Sequence, residues 1–184
     1  MLDMEIGRRR LLGGTLALGA AMTFAKGAFA ALPERRIAFR NIHTNENFDA
    51  RFFGASGWDQ QGLAELNHGM RDWRNNEATD MDPKLLLLLS QIRDTLGIAP
   101  QAKIDLISAY RSPGTNAALR AKGGAHTGVA TKSQHMLGKA TDMRMPGVSL
   151  DRQRMAALSL QAGGVGFYPK DGFVHVDTGR VRTW

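Results

Sequence analysis

FVHVD, residues 173–177, alternates so that Phe173, His175 and Asp177 share one face of a strand while Val174 and Val176 share the other. Valines packed into a core would therefore present a histidine and an aspartate side by side on the opposite face. KATDMRM, residues 139–145, repeats the pattern, with Ala140, Asp142 and Arg144 on one face and Thr141, Met143 and Met145 on the other. Gly163-Gly164 and the stretch from Pro169 to Gly172 bracket two short strands, and Leu150–Ala162 has helical spacing. Short strands with polar groups on one face, joined by Gly-, Ser- and Pro-rich loops, make this half of the chain the place to seek chemistry.

The first half reads as scaffold. RRIAFRNIHT at 35–44 suggests an opening strand before the Gly54–Gly57 turn region. Leu63, Leu66, Met70 and Trp73 are spaced as on a helix, and Pro83 opens a second helix through Leu85–Leu89, Ile92 and Leu96 that Gly97 ends. IDLISAY at 104–110 reads as a strand entering the turn Arg111-Ser112-Pro113-Gly114, with a helix from Asn116 and a flexible loop at Gly123–Lys132. No repeat, low-complexity tract or long linker divides residues 31–184, which are expected to form a single domain.

Residues 1–30 are expected to be an export signal: Arg8-Arg9-Arg10 precede Leu11-Leu12 and a small-apolar run that ends at Ala28-Phe29-Ala30. The consecutive arginines and the weakly hydrophobic Gly/Ala stretch resemble a twin-arginine signal. The 184-residue chain carries 24 Lys+Arg against 17 Asp+Glu, a net charge of +7. Cleavage after Ala30 would remove Arg8, Arg9, Arg10 and Lys26 with Asp3 and Glu5, leaving +5. The basic residues are scattered, which argues against nucleic acid, and a membrane role is expected only through an uncleaved signal.

The chain has no cysteine, so thiolate zinc sites, iron–sulfur clusters and cysteine nucleophiles are excluded and any metal must rest on His, Asp or Glu. His175 and Asp142 on strands, and His135 at a loop-to-strand entry, form a candidate constellation. A turn at Leu137-Gly138 would bring His135 beside Asp142, with His175 arriving from a neighbouring strand. Two histidines and one aspartate suit a hydrolytic Zn²⁺, leaving a fourth position for water. The same residue types also occur as ordinary hydrogen-bonded groups. Gly123–Gly128 lacks the Gly-Lys-Ser/Thr ending of a phosphate loop, and Gly163-Gly164-x-Gly166 precedes a strand instead of opening a dinucleotide-binding helix.

Ser133-x-His135-x-x-Gly138-x-Ala140-x-Asp142, Gly164-x-Gly166-x-Tyr168-Pro169 and Phe173-Val174-His175-x-Asp177-x-Gly179 together resemble the murein endopeptidase K family. That family is similar to the wider group of zinc peptidases that includes lysostaphin, D-alanyl-D-alanine metallopeptidases and the hedgehog amino-terminal domain. His43-Thr44-x-Glu46, Arg71-Asp72-x-Arg74, Tyr110-Arg111-Ser112-Pro113-x-Thr115-Asn116 and the closing Arg180-Val181-Arg182-x-Trp184 extend the resemblance over most of the chain.

The resemblance implies an α+β fold, with a small antiparallel sheet carrying zinc and flanked by helices, and hydrolysis of peptidoglycan cross-links in the periplasm. His135, Asp142 and His175 would be the zinc ligands, with Ser133 a neighbour of His135. The wider group often places an acidic residue three positions, or a histidine two positions, before the last ligand; here those positions hold Gly172 and Phe173. Asp177 and Asp171 are the candidates for activating water, although Asp177 also suits orienting a ligand histidine and Asp171 suits a turn with Gly172. Arg111 is the candidate for stabilising the tetrahedral species, its alternative being a turn arginine paired with a carboxylate. Tyr168 and Trp184 are candidates to line the substrate groove. Two other activities fit the same residues: a carboxypeptidase that trims D-alanine from stem peptides, and a non-catalytic zinc-containing cell-wall-binding module.

Overall fold

The computed structural model describes residues 34–123 and 128–184. The export signal expected at residues 1–30 lies outside the described residues, as do His126 and part of the loop expected at Gly123–Lys132.

The chain opens with an antiparallel hairpin of β1 (Arg35–Asn41) and β2 (Asn47–Gly54), extended by β3 (Gly57–Trp58). In β2, Phe48, Ala50 and Phe52 alternate with the exposed Asn47, Asp49 and Arg51, and Phe52 is fully buried. Helices α1 (Gln60–Gly69) and α2 (Pro83–Thr95) follow, each started by an aspartate whose side chain accepts a backbone N–H: Asp59 from Gly62 and Asp82 from Lys84. Pro83 occupies the first turn of α2, where its missing N–H costs no helical hydrogen bond. The chain then forms β4 (Lys103–Ser108), α3 (Pro113–Gly123), a 3-10 turn (Gln134–Leu137), β5 (Ala140–Arg144), α4 (Leu150–Ser159), β6 (Gly164–Tyr168), β7 (Phe173–Asp177) and β8 (Arg182–Thr183).

The α+β class agrees with expectation, but the sheet is neither small nor purely antiparallel. It has eight strands in the order β3-β2-β1-β4-β5-β7-β6-β8, with β1·β4 and β6·β8 parallel. The long excursion through α1 and α2 lets the chain re-enter beside β1 in the same direction, as a parallel pair requires. The first helix ends at Gly69 and does not reach Trp73: the chain turns at Asp72, whose carboxylate accepts the Arg74 amide, and Trp73 stacks on His43 at 4.1 Å between ring centres. The last helix stops at Ser159, short of Ala162, and Gln161 takes a left-handed conformation with φ 51°.

The core joins Leu85, Leu86, Leu89 and Ile92 of α2 to Ile37, Phe39 and Phe52 of the hairpin and to Met143, Val174 and Val176. Each large aliphatic side chain fully removed from water contributes about 1.5–3 kcal/mol. Helix α2 packs on β1 and α4, and α4 packs on β6 and β7. Burying the valines of β7 turns His175 and Asp177 to the other face.

Candidate metal centre

Strands β5 and β7 pair with Asp142 directly opposite His175 and Ala140 opposite Asp177. Residues directly opposite on one face of an antiparallel pair have neighbouring side chains, and His175 Nδ1 lies 2.8 Å from Asp142 Oδ1. His135 reaches them from the 3-10 turn, whose N-cap Ser133 accepts the His135 amide at 3.3 Å. Gly138 closes that turn with φ 64°, and a Cβ there would stand 2.7 Å from the carbonyl oxygen of Asp80, so glycine is required on both counts. His135 Nε2 then sits 3.4 Å from Asp142 Oδ1 and 3.3 Å from His175 Nδ1.

The outer ring nitrogens set the tautomers. His135 Nδ1 is 2.6 Å from the Ala109 carbonyl, which only accepts, so Nδ1 carries a proton and Nε2 is the nitrogen that faces inward. His175 Nε2 is 3.0 Å from Asp177 Oδ2. Asp177 is fully buried, accepts the amides of Gly164 and Gly179, and pairs with Arg182 through both oxygens. Burial opposes its ionisation, but His175, Arg182 and Gly179 outweigh that and hold the carboxyl well below the usual carboxylate range. An ionised Asp177 keeps a proton on Nε2; against the burial of His175, Asp142 and Asp177 together raise its pKa, and Nδ1 offers a lone pair to a metal once its own proton leaves.

His135 Nε2, His175 Nδ1 and a carboxylate oxygen of Asp142 thus converge, and with the protons on the outer ring nitrogens all three can serve as acceptors for one cation. Despite the burial of Asp142, without a metal the protonated His135 and His175 rings donate toward it and hold its carboxyl far below the ordinary value; a metal ion would replace those protons. Tetrahedral bonds of about 2.0–2.1 Å would place ligand atoms roughly 3.3 Å apart, and the three separations here are 2.8, 3.3 and 3.4 Å. The donor set fits a divalent cation, and among the described residues it is the cluster of His and acidic groups that offers such a site.

The cluster lines a cavity of about 320 Å³. Arg111 and Lys132 bring positive charge to it, and Tyr168, Phe173 and Trp184 bring aromatic surface. Tyr168 stacks on Phe173 at 4.6 Å between ring centres and accepts a 2.7 Å hydrogen bond from Trp184 Nε1. Arg111 is buried, with Nη2 3.7 Å from Asp142 Oδ2, beyond hydrogen-bonding distance, and Nε buried without a partner among the described residues. Burial lowers its pKa against the opposing charge of Asp142, yet a guanidinium stays protonated.

Of the residues expected at the site, the structure gathers His135, Asp142, His175, Arg111, Tyr168 and Trp184 around the cavity. Asp177 meets His175 on the ring edge away from Asp142, and all its hydrogen-bonding capacity is directed to protein groups. Asp171 is not brought in: it is exposed in the turn between β6 and β7, beyond the Tyr168–Phe173 pair, where its amide donates to Tyr168 O. Asp142 is the one carboxylate that lines the cavity among the described residues. Sequence reasoning gave no role to Lys132, Phe173 or Arg182. The alternation that placed His175 and Asp177 also put Phe173 on their face, and Arg182 lay within the closing basic motif.

Residues 29–184 match the family model described as Peptidoglycan L,D-endopeptidase MepK. The Peptidoglycan L,D-endopeptidase MepK of Escherichia coli K12 is 45% identical over 184 residues, covering 98% of this chain and 98% of its own. The protein of the same description from Shigella flexneri matches to the same extent, 45% over 184 residues and 98% of each chain. A relative from Haemophilus influenzae is 42% identical over 179 residues, covering 96% of this chain and 94% of its own. No solved structure matched.

Proposed function

The chain belongs to the peptidoglycan L,D-endopeptidase MepK family, and from that membership we propose that it is an exported zinc metallopeptidase that hydrolyses the peptide cross-links of peptidoglycan. The observation that carries the metal assignment is the convergence of His135 Nε2, His175 Nδ1 and the Asp142 carboxylate at one wall of an open cavity. These three residues hold the zinc ion. When bound, the ion supplies Lewis acidity to the scissile carbonyl and lowers the pKa of water toward neutrality.

The protein's own groups do the rest. The Ala109 carbonyl and Asp177 bind the outer nitrogens and hold protons there, so the inner nitrogens are the ones that would meet the metal. Asp177 is a positioning group in this reading, and water activation does not pass through it or through Asp171. Arg111, which lines the cavity and makes no side-chain hydrogen bond with the described residues, stabilises negative charge as it develops on the former carbonyl oxygen. Lys132 and the aromatic wall of Tyr168, Phe173 and Trp184 hold the cross-linked peptide across the site. Peptidoglycan lies outside the cytoplasm, which supports a periplasmic location and a signal role for residues 1–30.

The test is digestion of purified cross-linked peptidoglycan by the chain lacking residues 1–30, with chelator and then with restored zinc, reading muropeptides by mass spectrometry. Chelator-sensitive loss of cross-linked dimers is the expected result. Release of terminal D-alanine alone would make the chain a carboxypeptidase. Binding of zinc and muropeptide without turnover would make it a cell-wall-binding module.

A further inference from the structure

Among the described residues the hydrogen bonds that place Arg111 are made by the backbone around it, and its side chain has only a long ion pair with Asp142. The Arg111 guanidinium makes no hydrogen bond with the described residues: Nη2 is 3.7 Å from Asp142 Oδ2, and Nε is buried without a partner among them. Its main chain, by contrast, is anchored at three successive amides. Tyr110 N donates to Met70 O at 2.9 Å, Arg111 N to His135 O at 3.2 Å, and Ser112 N to Asp72 Oδ2 at 3.0 Å. Two of the three anchors come from the turn after α1.

Asp72 dominates that turn. Its side chain is fully buried, and its Oδ1 accepts the Arg74 amide at 3.2 Å while Arg74 Nη1 stands 3.6 Å away. A carboxylate taken wholly out of water is costly unless it is paired and hydrogen-bonded, as Asp72 is. The turn adds a second contact on the same residue: Asn75 Nδ2 donates to Ser112 Oγ at 2.9 Å, and that hydroxyl in turn accepts the Thr115 amide at the start of α3. Asp72 and Asn75 thus hold the residue that follows Arg111 by its backbone and by its side chain.

We propose that Asp72 is a positioning residue for the reaction, fixing the Arg111 guanidinium over the cavity by clamping the Arg111–Ser112 peptide from the turn after α1. The proposal rests on the reading above that Arg111 stabilises the developing charge. A displacement of the order of 1 Å in such a group costs up to about a hundredfold in rate, and the loss falls on kcat because the contact strengthens in the transition state.

The test is a double-mutant cycle with Asp72→Asn, Arg111→Ala and the pair, assayed on a purified cross-linked muropeptide well below every variant's melting temperature. Metal content and melting temperature are measured alongside. Asp72→Asn is expected to lower kcat about tenfold with KM within about twofold and metal content unchanged. In the Arg111→Ala background the same substitution should change kcat less than about twofold, since the group it positions is gone. Asn75→Ala removes one side-chain bond to Ser112 and should show a smaller loss with the same background dependence; it carries the cycle if Asp72→Asn does not fold. An equal loss in both backgrounds, a loss of metal, or an unchanged kcat would overturn the proposal. Arg111→Ala with undiminished kcat would overturn the reading beneath it, and that result is visible in the single variant alone.

Discussion

Asp177 Oδ2 lies 3.0 Å from Nε2 of His175, while Asp142 Oδ1 lies 2.8 Å from Nδ1 of the same ring, so the two aspartates address opposite edges of one imidazole. In the proposed function the edge facing Asp142 binds the metal, and the edge facing Asp177 sets the tautomer. Asp177→Asn keeps the shape but can no longer enforce a proton on Nε2. It should weaken zinc binding by about 10–100-fold, measured by competition with a fluorescent chelator, while kcat at saturating zinc falls much less. A variant with full zinc affinity and abolished kcat would instead mark Asp177 as the group that activates water.

Removing one of the three proposed ligands should act more severely. His135→Ala, Asp142→Ala or His175→Ala leaves two ligand residues and a buried cluster with an unmatched polar group. Each should purify with zinc well below one equivalent by elemental analysis and show no chelator-dependent fall in melting temperature, whereas the unaltered protein should lose several degrees on chelation, because a metal that binds only the folded chain stabilises it. Full zinc occupancy in any one variant would remove that residue from the ligand set.

Arg111→Ala separates charge stabilisation from metal binding. The guanidinium is too far from Asp142 to hold it by a hydrogen bond, so zinc content should stay at one per chain. Loss of one donor for a developing oxyanion typically costs about 10²–10³ in kcat, and that is the fall expected in a muropeptide assay. Arg111→Lys should recover only part of it, since an ammonium does not reproduce the planar fork of donors.

The sequence made the centre legible because its strands are short and sharply two-faced. Val174, Val176 and Met143 could only be core, which fixed the facing of His175 and Asp142, and the Gly138 turn accounted for His135. Asp177 was legible in position but not in role: alternation puts it on the face of His175, yet which ring nitrogen it meets depends on side-chain rotation. Asp171 stands close to His175 in sequence, but the β6–β7 hairpin carries it past Tyr168 into solvent. The sheet was under-read because the pairing of β1 with β4 joins segments separated by two helices, and no local pattern encodes such a crossover. The Asp72–Ser112 contact, 40 residues apart in the chain, was hidden for the same reason.

Asp72 also ties stability to pH. Burial works against its ionisation, but hydrogen bonds from Thr115, Ser112 and Arg74 outweigh that and hold its carboxyl below the ordinary value. A depressed folded-state pKa means that the folded protein binds fewer protons than the unfolded chain at acid pH, so the contribution is complete above the unfolded carboxylate pKa of about 3.9 and is lost as pH falls through the folded value. Asp72→Asn should therefore be less stable than the unaltered protein by about 1–3 kcal/mol near neutrality, the cost of disturbing a buried hydrogen-bonded acceptor. The difference should stay constant from about pH 6 to pH 8 and narrow below about pH 4 as the unaltered protein gives up the Asp72 contribution. Denaturant midpoints of the two proteins, measured across that range without metal to keep zinc release out of the comparison, check the sign. A gap that widens on acidification would show that Asp72 is protonated in the fold.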